Sequence, residues 1–155
     1  MFKVKKEQIG SVLKAQLQGS LDELCSPNLD LGPPQGEMLI SCKEISRINS
    51  AGIKTWVKYF KEAAIKGVKV TLLECSPQIV EQCSQIINFT AGALVESVYV
   101  PYGCEACRHE FVQLFKTSDL KSIFRNMPAV ECPNCKAPSQ FDDFVDEYFA
   151  FLKRA

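Results

Sequence analysis

The sequence predicts an α/β protein in which helices pack on a mixed β-sheet and a small cysteine-rich subdomain follows. Over residues 38–100, short apolar runs alternate with two stretches of helical periodicity, a pattern typical of helices packed on a sheet. After residue 100 the pattern changes, because two cysteine pairs bracket a polar segment. We therefore expect one domain over residues 1–100 and a subdomain over residues 101–155 that ends in an amphipathic helix.

The chain begins with strand patterns. Residues 2–9 and 11–18 contain alternating apolar and polar side chains and are separated by Gly10, which predicts a β-hairpin. Residues 25–36 hold three prolines and two glycines, so we expect a surface loop rather than a helix. The apolar run that follows, residues 38–42, predicts a short buried strand.

Helical periodicity begins at Ser50. The apolar residues at helical spacing are Ile53, Trp56, Val57, Phe60 and Ala64. Gly67 follows at the position where a helix C-terminus favours a residue with positive φ. After a strand-like segment, Ser76 and Pro77 predict the N-cap and first residue of a second helix, and residues 94–100 predict another strand. The expected order is β-β-loop-β-α-β-α-β.

The end of the chain carries a stripe of apolar residues at helical spacing. Its members are Phe141, Phe144, Val145, Tyr148, Phe149 and Leu152. Because Asp142 and Asp143 fall in the first turn and two basic residues in the last, the stripe predicts a C-terminal amphipathic helix. We expect the stripe to pack on the subdomain or the sheet, or, if exposed, to form a dimer or partner surface. Tyr59 and Phe151 lie off the stripes and are expected to be exposed.

Four cysteines form two C-x-x-C pairs separated by 24 residues: Cys104 with Cys107, and Cys132 with Cys135. Two such turns facing each other make the closed four-thiolate shell that Zn²⁺ prefers, so structural rather than catalytic zinc is predicted. Such zinc could supply about 10–16 kcal/mol to a segment too small to fold alone. The alternatives are a redox dithiol, four packed thiols, or His109 as a ligand. Three other cysteines lie on predicted buried elements and are expected in the core: Cys42, Cys75 and Cys83.

The composition argues against several classes of function. Residues 1–100 carry eleven basic and ten acidic side chains, and residues 101–155 carry seven and eight, so neither part binds nucleic acid or anionic lipid through charge alone. No apolar run is long enough for a membrane span, and no secretory signal follows the first lysines, so we expect a cytoplasmic protein. Without a histidine beside a nucleophile or a glycine-rich phosphate loop, no enzyme activity is predicted.

Ser50 stands where the first long helix begins. A serine at this position is suited to be the N-cap, a role worth about 1 kcal/mol. An exposed hydroxyl at a helix N-terminus could equally carry a phosphate, because backbone N–H groups and the positive end of the helix dipole face it. In either role we expect Ser50 at the surface.

Five motifs occur in order within residues 1–100: an L-x-G-x-L-D pattern, the strand MLISC, the turn INSAGI, the segment AIKGVKVTLL and the helix SPQIV. Together they resemble a STAS domain, the fold of bacterial anti-sigma-factor antagonists. The most specific part is Asn49-Ser50-Ala51-Gly52, which is similar to the D-S-x-G turn of that family. Asn49 stands where the family usually has aspartate.

The resemblance implies a non-enzymatic regulatory protein that acts through protein–protein contact. In the family, a cognate anti-sigma kinase phosphorylates the serine of this turn, a partner phosphatase removes the phosphate, and the unphosphorylated form binds the anti-sigma factor. By resemblance Ser50 is the phosphoacceptor. The surface expected to bind an anti-sigma factor or a serine-kinase-like partner comprises Asn49, Ser50, Gly52, Lys54 and Lys58.

Other functions stay open at this stage. The chain could be a STAS-like scaffold without a phosphorylation switch, or a zinc ribbon that binds nucleic acid, although residues 101–155 have a net charge of −1. A thiol oxidoreductase using Cys104 and Cys107 is a third alternative. No membrane partner is expected, and a homodimer is among the oligomeric states that the sequence allows.

Overall fold

The computed structural model describes residues 1–154 and contains two β-sheets with helices packed on them. The first sheet contains, in both chain and spatial order, β1 (Lys3–Ile9), β2 (Val12–Leu21), β3 (Glu37–Ile48), β4 (Lys69–Leu73) and β5 (Leu94–Val95). The second contains β6 (Ser97–Gly103), β7 (Glu110–Lys116), β8 (Val130–Glu131) and β9 (Pro138–Phe141), in the spatial order β7-β6-β9-β8. The helices are α1 (Ser50–Ile65), α2 (Pro77–Gln85), α3 (Thr117–Ile123) and α4 (Val145–Tyr148), with 3₁₀ turns at Phe124–Asn126 and Ala150–Arg154. The predicted α/β class with a mixed sheet is confirmed.

The first sheet begins with the predicted hairpin. β1 and β2 pair antiparallel around a turn in which Gly10 has a φ of 60°, whereas the β2–β3, β3–β4 and β4–β5 pairs are parallel. β3 is longer than the apolar run predicted, because its second half pairs with β2 as far as Leu21 opposite Ile48. The proline-rich segment before β3 forms the expected loop.

Helix α1 lies where its periodicity predicted, but its N-cap is Asn49 rather than Ser50. The Asn49 Oδ1 atom accepts a hydrogen bond from the Gly52 N–H at 2.9 Å, and Ser50 is the first helical residue. Beyond the C-terminus, Gly67 has the expected positive φ of 71°. Tyr59 is buried, which corrects its expected exposure: its hydroxyl donates to the Gly32 carbonyl and so ties the proline-rich loop to the helix.

The predicted strand over residues 94–100 is divided between the two sheets. β5 extends the first sheet, and the Glu96 N–H still donates to the Leu72 carbonyl of β4. From Ser97 onward the chain forms β6, which remains joined to the first sheet by a parallel bridge between Cys75 and Val98. The chain therefore passes from the first sheet to the second with only Glu96 between β5 and β6.

The core is continuous across the boundary predicted between residues 100 and 101, which falls inside β6. Buried residues of the first sheet and α1 belong to the same cluster as Leu120, Phe124, Tyr148 and Phe149. The division of the chain into a domain and a subdomain stays a prediction.

The long C-terminal helix predicted over the aromatic stripe is wrong in its extent. Phe141 belongs to strand β9, which pairs with β6 and β8, and only α4 and a following 3₁₀ turn are helical. Within this segment Phe144 is 73% exposed, whereas Phe151 is buried, the reverse of the prediction. Of the basic residues expected in the last turn, Lys153 forms an exposed ion pair with Asp146.

A tertiary hydrogen bond lies at the point where the helix is interrupted. The Ser84 hydroxyl of α2 donates at 2.7 Å to the Tyr148 carbonyl, the group to which Leu152 would donate in a continuing α-helix. The Leu152 N–H donates instead to the Phe149 carbonyl, with the shorter spacing of a 3₁₀ turn. The hydroxyl of Tyr148 bonds the Tyr99 carbonyl of β6. The buried aromatic residues of this segment thus pack between α2 and the second sheet. Packing inside the fold was one of the positions expected for the stripe.

Candidate metal centre

The two C-x-x-C pairs lie at the ends of strands of the second sheet. Cys104 and Cys107 form the turn between β6 and β7, and Cys132 and Cys135 form the turn between β8 and β9. Because β6 and β9 are antiparallel neighbours, with Tyr102 opposite Phe141, the two turns reach the same end of the sheet. Sheet pairing therefore brings the four thiols together.

Both turns have the same backbone geometry. The first cysteine of each pair donates its backbone N–H to the carbonyl five residues later, Cys104 to His109 at 2.9 Å and Cys132 to Ala137 at 2.8 Å. The residue after the second cysteine has a positive φ in each turn, 63° at Arg108 and 69° at Lys136. This repeated geometry directs both sulfurs of a pair toward one point.

The four sulfurs are spaced as ligands of a single ion. All lie within 4.8 Å of one another, with 3.5 Å between Cys104 and Cys135 and 3.7 Å between Cys107 and Cys132. A tetrahedral thiolate shell with bonds of about 2.3 Å separates its sulfurs by about 3.8 Å, whereas a disulfide holds them about 2.05 Å apart. The cluster could therefore hold a metal ion, and its geometry is not that of two disulfides.

Backbone and side-chain donors stabilise the thiolate form of two of these cysteines. The N–H groups of Cys107 and Ala106 help lower the pKa of the Cys104 thiol to about 6. The side-chain amide of Asn134, 3.5 Å from the Cys107 sulfur, and the backbone N–H of His109 lower the pKa of Cys107. Sequence reasoning did not identify Asn134, although its place inside the second C-x-x-C pair was the available signal.

Cys135 retains its proton more strongly than Cys104 and Cys107 do. The Ala137 N–H lowers its pKa, but the sulfurs of Cys104 and Cys107 raise it by more, so that the pKa reaches about 12. The reason is that a proton shared with neighbouring thiolates reduces their repulsion. A cation in the centre would replace that proton. The cluster is thus chemically suited to exchange protons for a metal ion.

The remaining sulfur and nitrogen candidates lie apart from this cluster. His109 contributes its carbonyl to the first turn, while its ring stacks on Phe111 at 5.9 Å and is absent from the group of potential ligands among residues 1–154. The three cysteines that were predicted in the core are buried, as expected: Cys42, Cys75 and Cys83. A hydrogen bond with the Cys42 thiol and burial raise the pKa of Cys75, which keeps it protonated.

The structure places the predicted partner-binding residues at the start of α1. Asn49, Ser50, Lys54 and Lys58 are exposed and could contact another molecule. Gly52 was predicted to belong to this surface but is buried against the end of β2, where a Cβ would clash with the Leu21 carbonyl. Its role is to allow the close approach of α1 to β2.

Asn49 makes contacts that the sequence did not reveal. Besides capping α1, its side-chain amide donates to the Glu23 carboxylate at 3.0 Å, and its backbone N–H donates to the Leu21 carbonyl. The amide lowers the pKa of Glu23. An aspartate at this position could still accept the capping hydrogen bond but would repel Glu23, which gives a physical reason for asparagine here.

A polar cavity of about 470 Å³ lies beside this turn, at the carboxyl ends of β2 and β3. Its charged lining residues are Asp22 after β2, Arg47 in β3 and Glu81 in α2. Burial and then the charge of Asp143 raise the pKa of Glu81. The surface around Ser50 is thus indented and carries both signs of charge.

No protein-family model matches this chain, and none of the curated proteins matches it. Within residues 1–154, helices are too short or too polar to cross a lipid bilayer. Fold and site together define an α/β protein with two sheets and a four-cysteine cluster that could bind a metal ion.

Proposed function

We propose that this chain is a non-enzymatic regulatory binding module, similar to the STAS-type anti-sigma-factor antagonists, with structural zinc in its four-cysteine centre. The observation that carries the regulatory part is the exposed Asn49-Ser50 turn at the N-terminus of α1, in a sequence context that resembles the family's phosphorylated turn. The order of elements around it, a hairpin followed by alternating strands and helices, agrees with the resemblance.

The proposed partner is a protein of the anti-sigma-factor or serine-kinase type that binds across the start of α1. Lys54 and Lys58 lie one and two turns beyond Ser50 and are both exposed, so they provide positive charge beside the hydroxyl. A phosphate on Ser50 would add about two negative charges where a partner must pack, which costs several kcal/mol of binding free energy. Binding would change without any change of fold.

The partner experiment compares four forms of the full chain used as bait in a bacterial lysate: wild type, Ser50→Ala, Ser50→Asp and the control Ser11→Asp. Ser11 is exposed in the β1–β2 turn, so its substitution adds the same charge elsewhere. We expect wild type, Ser50→Ala and Ser11→Asp to recover one protein that Ser50→Asp recovers at least about tenfold less. Equal recovery by all four would leave a scaffold without a phosphorylation switch.

Zinc is the proposed metal because four thiolates in a tetrahedral shell suit it, and because all four positions are filled by protein. Iron can occupy the same kind of shell, so the test is elemental analysis of the purified protein together with its absorbance. One equivalent of zinc and a colourless protein support the proposal. Iron with visible absorbance, or no metal, contradicts it.

Nucleic-acid binding is the alternative function of a different class. Residues 101–155 carry seven basic and eight acidic side chains, too few positive charges for a salt-dependent contact with phosphates. We expect no retardation of single-stranded or duplex DNA or of RNA at micromolar protein. A complex that weakens steeply with added salt would replace the regulatory proposal with this one.

A further inference from the structure

The two sheets present four edge strands, and these differ in how they are protected. β5 and β8 contain two residues each, and β1 carries Lys3, Lys5 and Lys6 along its length. Short strands and lysines are the usual protection of an exposed edge against pairing with another chain. β7, with seven residues, lacks this protection: its only charged residues are Glu110 and Lys116 at its two ends.

The hydrogen bonds between β6 and β7 show which backbone groups of β7 point outward. The Cys104 N–H donates to the His109 carbonyl, and the Thr117 N–H donates to the Glu96 carbonyl, so the odd-numbered residues of β7 bond to β6. Val112 lies opposite Pro101, which has no N–H to offer. The backbone groups of the even-numbered residues therefore face away from β6.

The side chains of these even-numbered residues are also exposed. Val112 is 45% exposed and Leu114 is 39% exposed, next to Pro101 and Tyr99 of β6 on the same face. On the opposite face Phe111 and Phe115 are half-buried and stack on Tyr102, which fixes the strand. β7 is thus an edge strand whose exposed face has an apolar centre.

The sequence of β7 is self-complementary in the antiparallel direction. Around Gln113, Phe111 mirrors Phe115, Val112 mirrors Leu114, and Glu110 mirrors Lys116. A two-fold axis at Gln113 would therefore place unlike charges opposite each other at both ends and apolar residues opposite each other between them. Within the described part of the chain, neither Glu110 nor Lys116 forms an ion pair.

We propose that two copies of this chain pair through β7, antiparallel about Gln113, to form one sheet that continues across a homodimer. Val112 and Leu114 of each copy supply the central backbone hydrogen bonds, because their N–H and C=O groups are the ones that face outward. The carbonyl of Lys116 serves the first turn of α3, so the ends of the ladder are held mainly by the two Glu110–Lys116 pairs. A second copy fits this edge better than an unrelated peptide, since charge and apolar positions match in one register.

The decisive experiment exchanges the charges at the ends of β7 in the full chain, with sedimentation velocity over a range of concentrations as the readout. We expect a concentration-dependent dimer for the wild type. Glu110→Lys and Lys116→Glu each replace two attractive pairs with two repulsive ones, so each should raise the dissociation constant at least about tenfold. The double variant restores the attraction and should return the dimer to near wild-type strength. Lys61→Glu on α1, a matched change of charge away from β7, should have no effect.

A mixing experiment gives the same answer by a second route. The Glu110→Lys chain has two positive ends and the Lys116→Glu chain two negative ends, so an equimolar mixture should form a heterodimer more strongly than either chain forms a homodimer. Metal content and circular dichroism of each variant show that the fold is retained, which matters because Glu110 lies close to Cys107.

A substitution of the backbone donor completes the test. Val112→Pro removes an N–H that does not serve β6, so the hairpin is retained while the central pair of the dimer is blocked, and we expect a monomer. A wild-type chain that remains monomeric up to about 0.5 mM, far above the micromolar dissociation constants of weak interfaces, would overturn the proposal. So would a dimer that all of these variants leave unchanged.

Discussion

At the scale of single residues, Asn49 connects the start of α1 to the end of β2 and to the segment that follows β2. Its side chain caps the helix through Gly52, its amide binds Glu23, and its backbone bonds Leu21. Ser50, which the sequence favoured as the cap, has an exposed side chain and leaves this role to its neighbour. The two positions can therefore be separated by substitution.

We expect Asn49→Ala to lower the free energy of unfolding by about 1 kcal/mol, because it removes the cap. Ser50→Ala is the control and should change stability by less than about 0.5 kcal/mol, because its hydroxyl is at the surface. Denaturant unfolding of both variants measures the difference. A larger loss of stability for Ser50→Ala than for Asn49→Ala would show that Ser50 caps α1.

The hydrogen bond between Asn49 and Glu23 predicts a pH dependence of stability. The Asn49 amide lowers the pKa of Glu23 in the folded state, so this contact stabilises the fold above the ordinary pKa of 4.5 and its contribution is lost as pH falls through the lowered value. The stability difference between wild type and Asn49→Ala should therefore shrink in acid. Unfolding curves at neutral pH and near pH 3 test this, and a difference that grows in acid would contradict it.

Gly52 is the second residue on which this turn depends. A Cβ here would meet the Leu21 carbonyl, a backbone atom that cannot rotate away, so we expect Gly52→Ala to cost about 1–3 kcal/mol. Gly10→Ala, in a turn with open space around it, separates the effect of a clash from that of a strained φ. Thermal unfolding compares them, and an unchanged melting temperature for Gly52→Ala would show that α1 can move away from β2.

At the scale of elements, the C-terminal segment shows how a tertiary contact overrides helical periodicity. The Ser84 hydroxyl of α2 binds the Tyr148 carbonyl and accepts a hydrogen bond from the Phe151 N–H at 3.3 Å. The segment from α4 onward therefore packs as two short turns, and its rings contact β9, where Phe141 stacks on Phe149 at 5.2 Å. Periodicity identified which residues are apolar but not how the backbone would present them.

Ser84→Ala should release this segment from α2. Because a buried carbonyl and a buried N–H lose their partner, we expect a loss of about 1–3 kcal/mol and faster hydrogen exchange over residues 145–152. Ser122→Ala on α3 removes an exposed hydroxyl that bonds the Asp119 carbonyl, and serves as the control. Unchanged exchange in the Ser84 variant would mean that aromatic packing alone holds the segment.

At the scale of the whole molecule, β6 is one of the elements that connect the four-cysteine cluster to the first sheet. It begins beside Cys75 and ends at the first C-x-x-C turn, and the contacts of α2 with the C-terminal segment join the two sheets as well. Loss of the proposed metal should affect the second sheet first, because all four cysteines lie in the turns of that sheet. The first sheet has its own hairpin, parallel strands and α1 to support it.

We expect a chelator, or Cys132→Ser, to abolish metal binding and to increase hydrogen exchange across β6–β9 before it does so in β2–β4. The proposed metal's contribution to stability should fall as pH falls, and more steeply below about 6, because protons then compete for Cys104, whose pKa is about 6, as well as for Cys135. Cys83→Ser, at a buried thiol outside the cluster, should leave metal content unchanged. Simultaneous loss of protection in both sheets would show one cooperative unit instead.

Local patterns in the sequence determined the order of strands and helices over residues 1–100 and the pairing of the four cysteines, because periodicity, glycine positions and C-x-x-C spacing act over a few residues. Only the tertiary structure decided which residue caps α1, where the last helix breaks, and that the strand predicted over residues 94–100 is divided between the two sheets. Those outcomes depend on atoms distant in sequence: Glu23 beside Asn49, Ser84 beside Tyr148, and β6 between β7 and β9. A local pattern does not show which distant group will form a hydrogen bond with a given residue, because those two groups meet only when the chain packs.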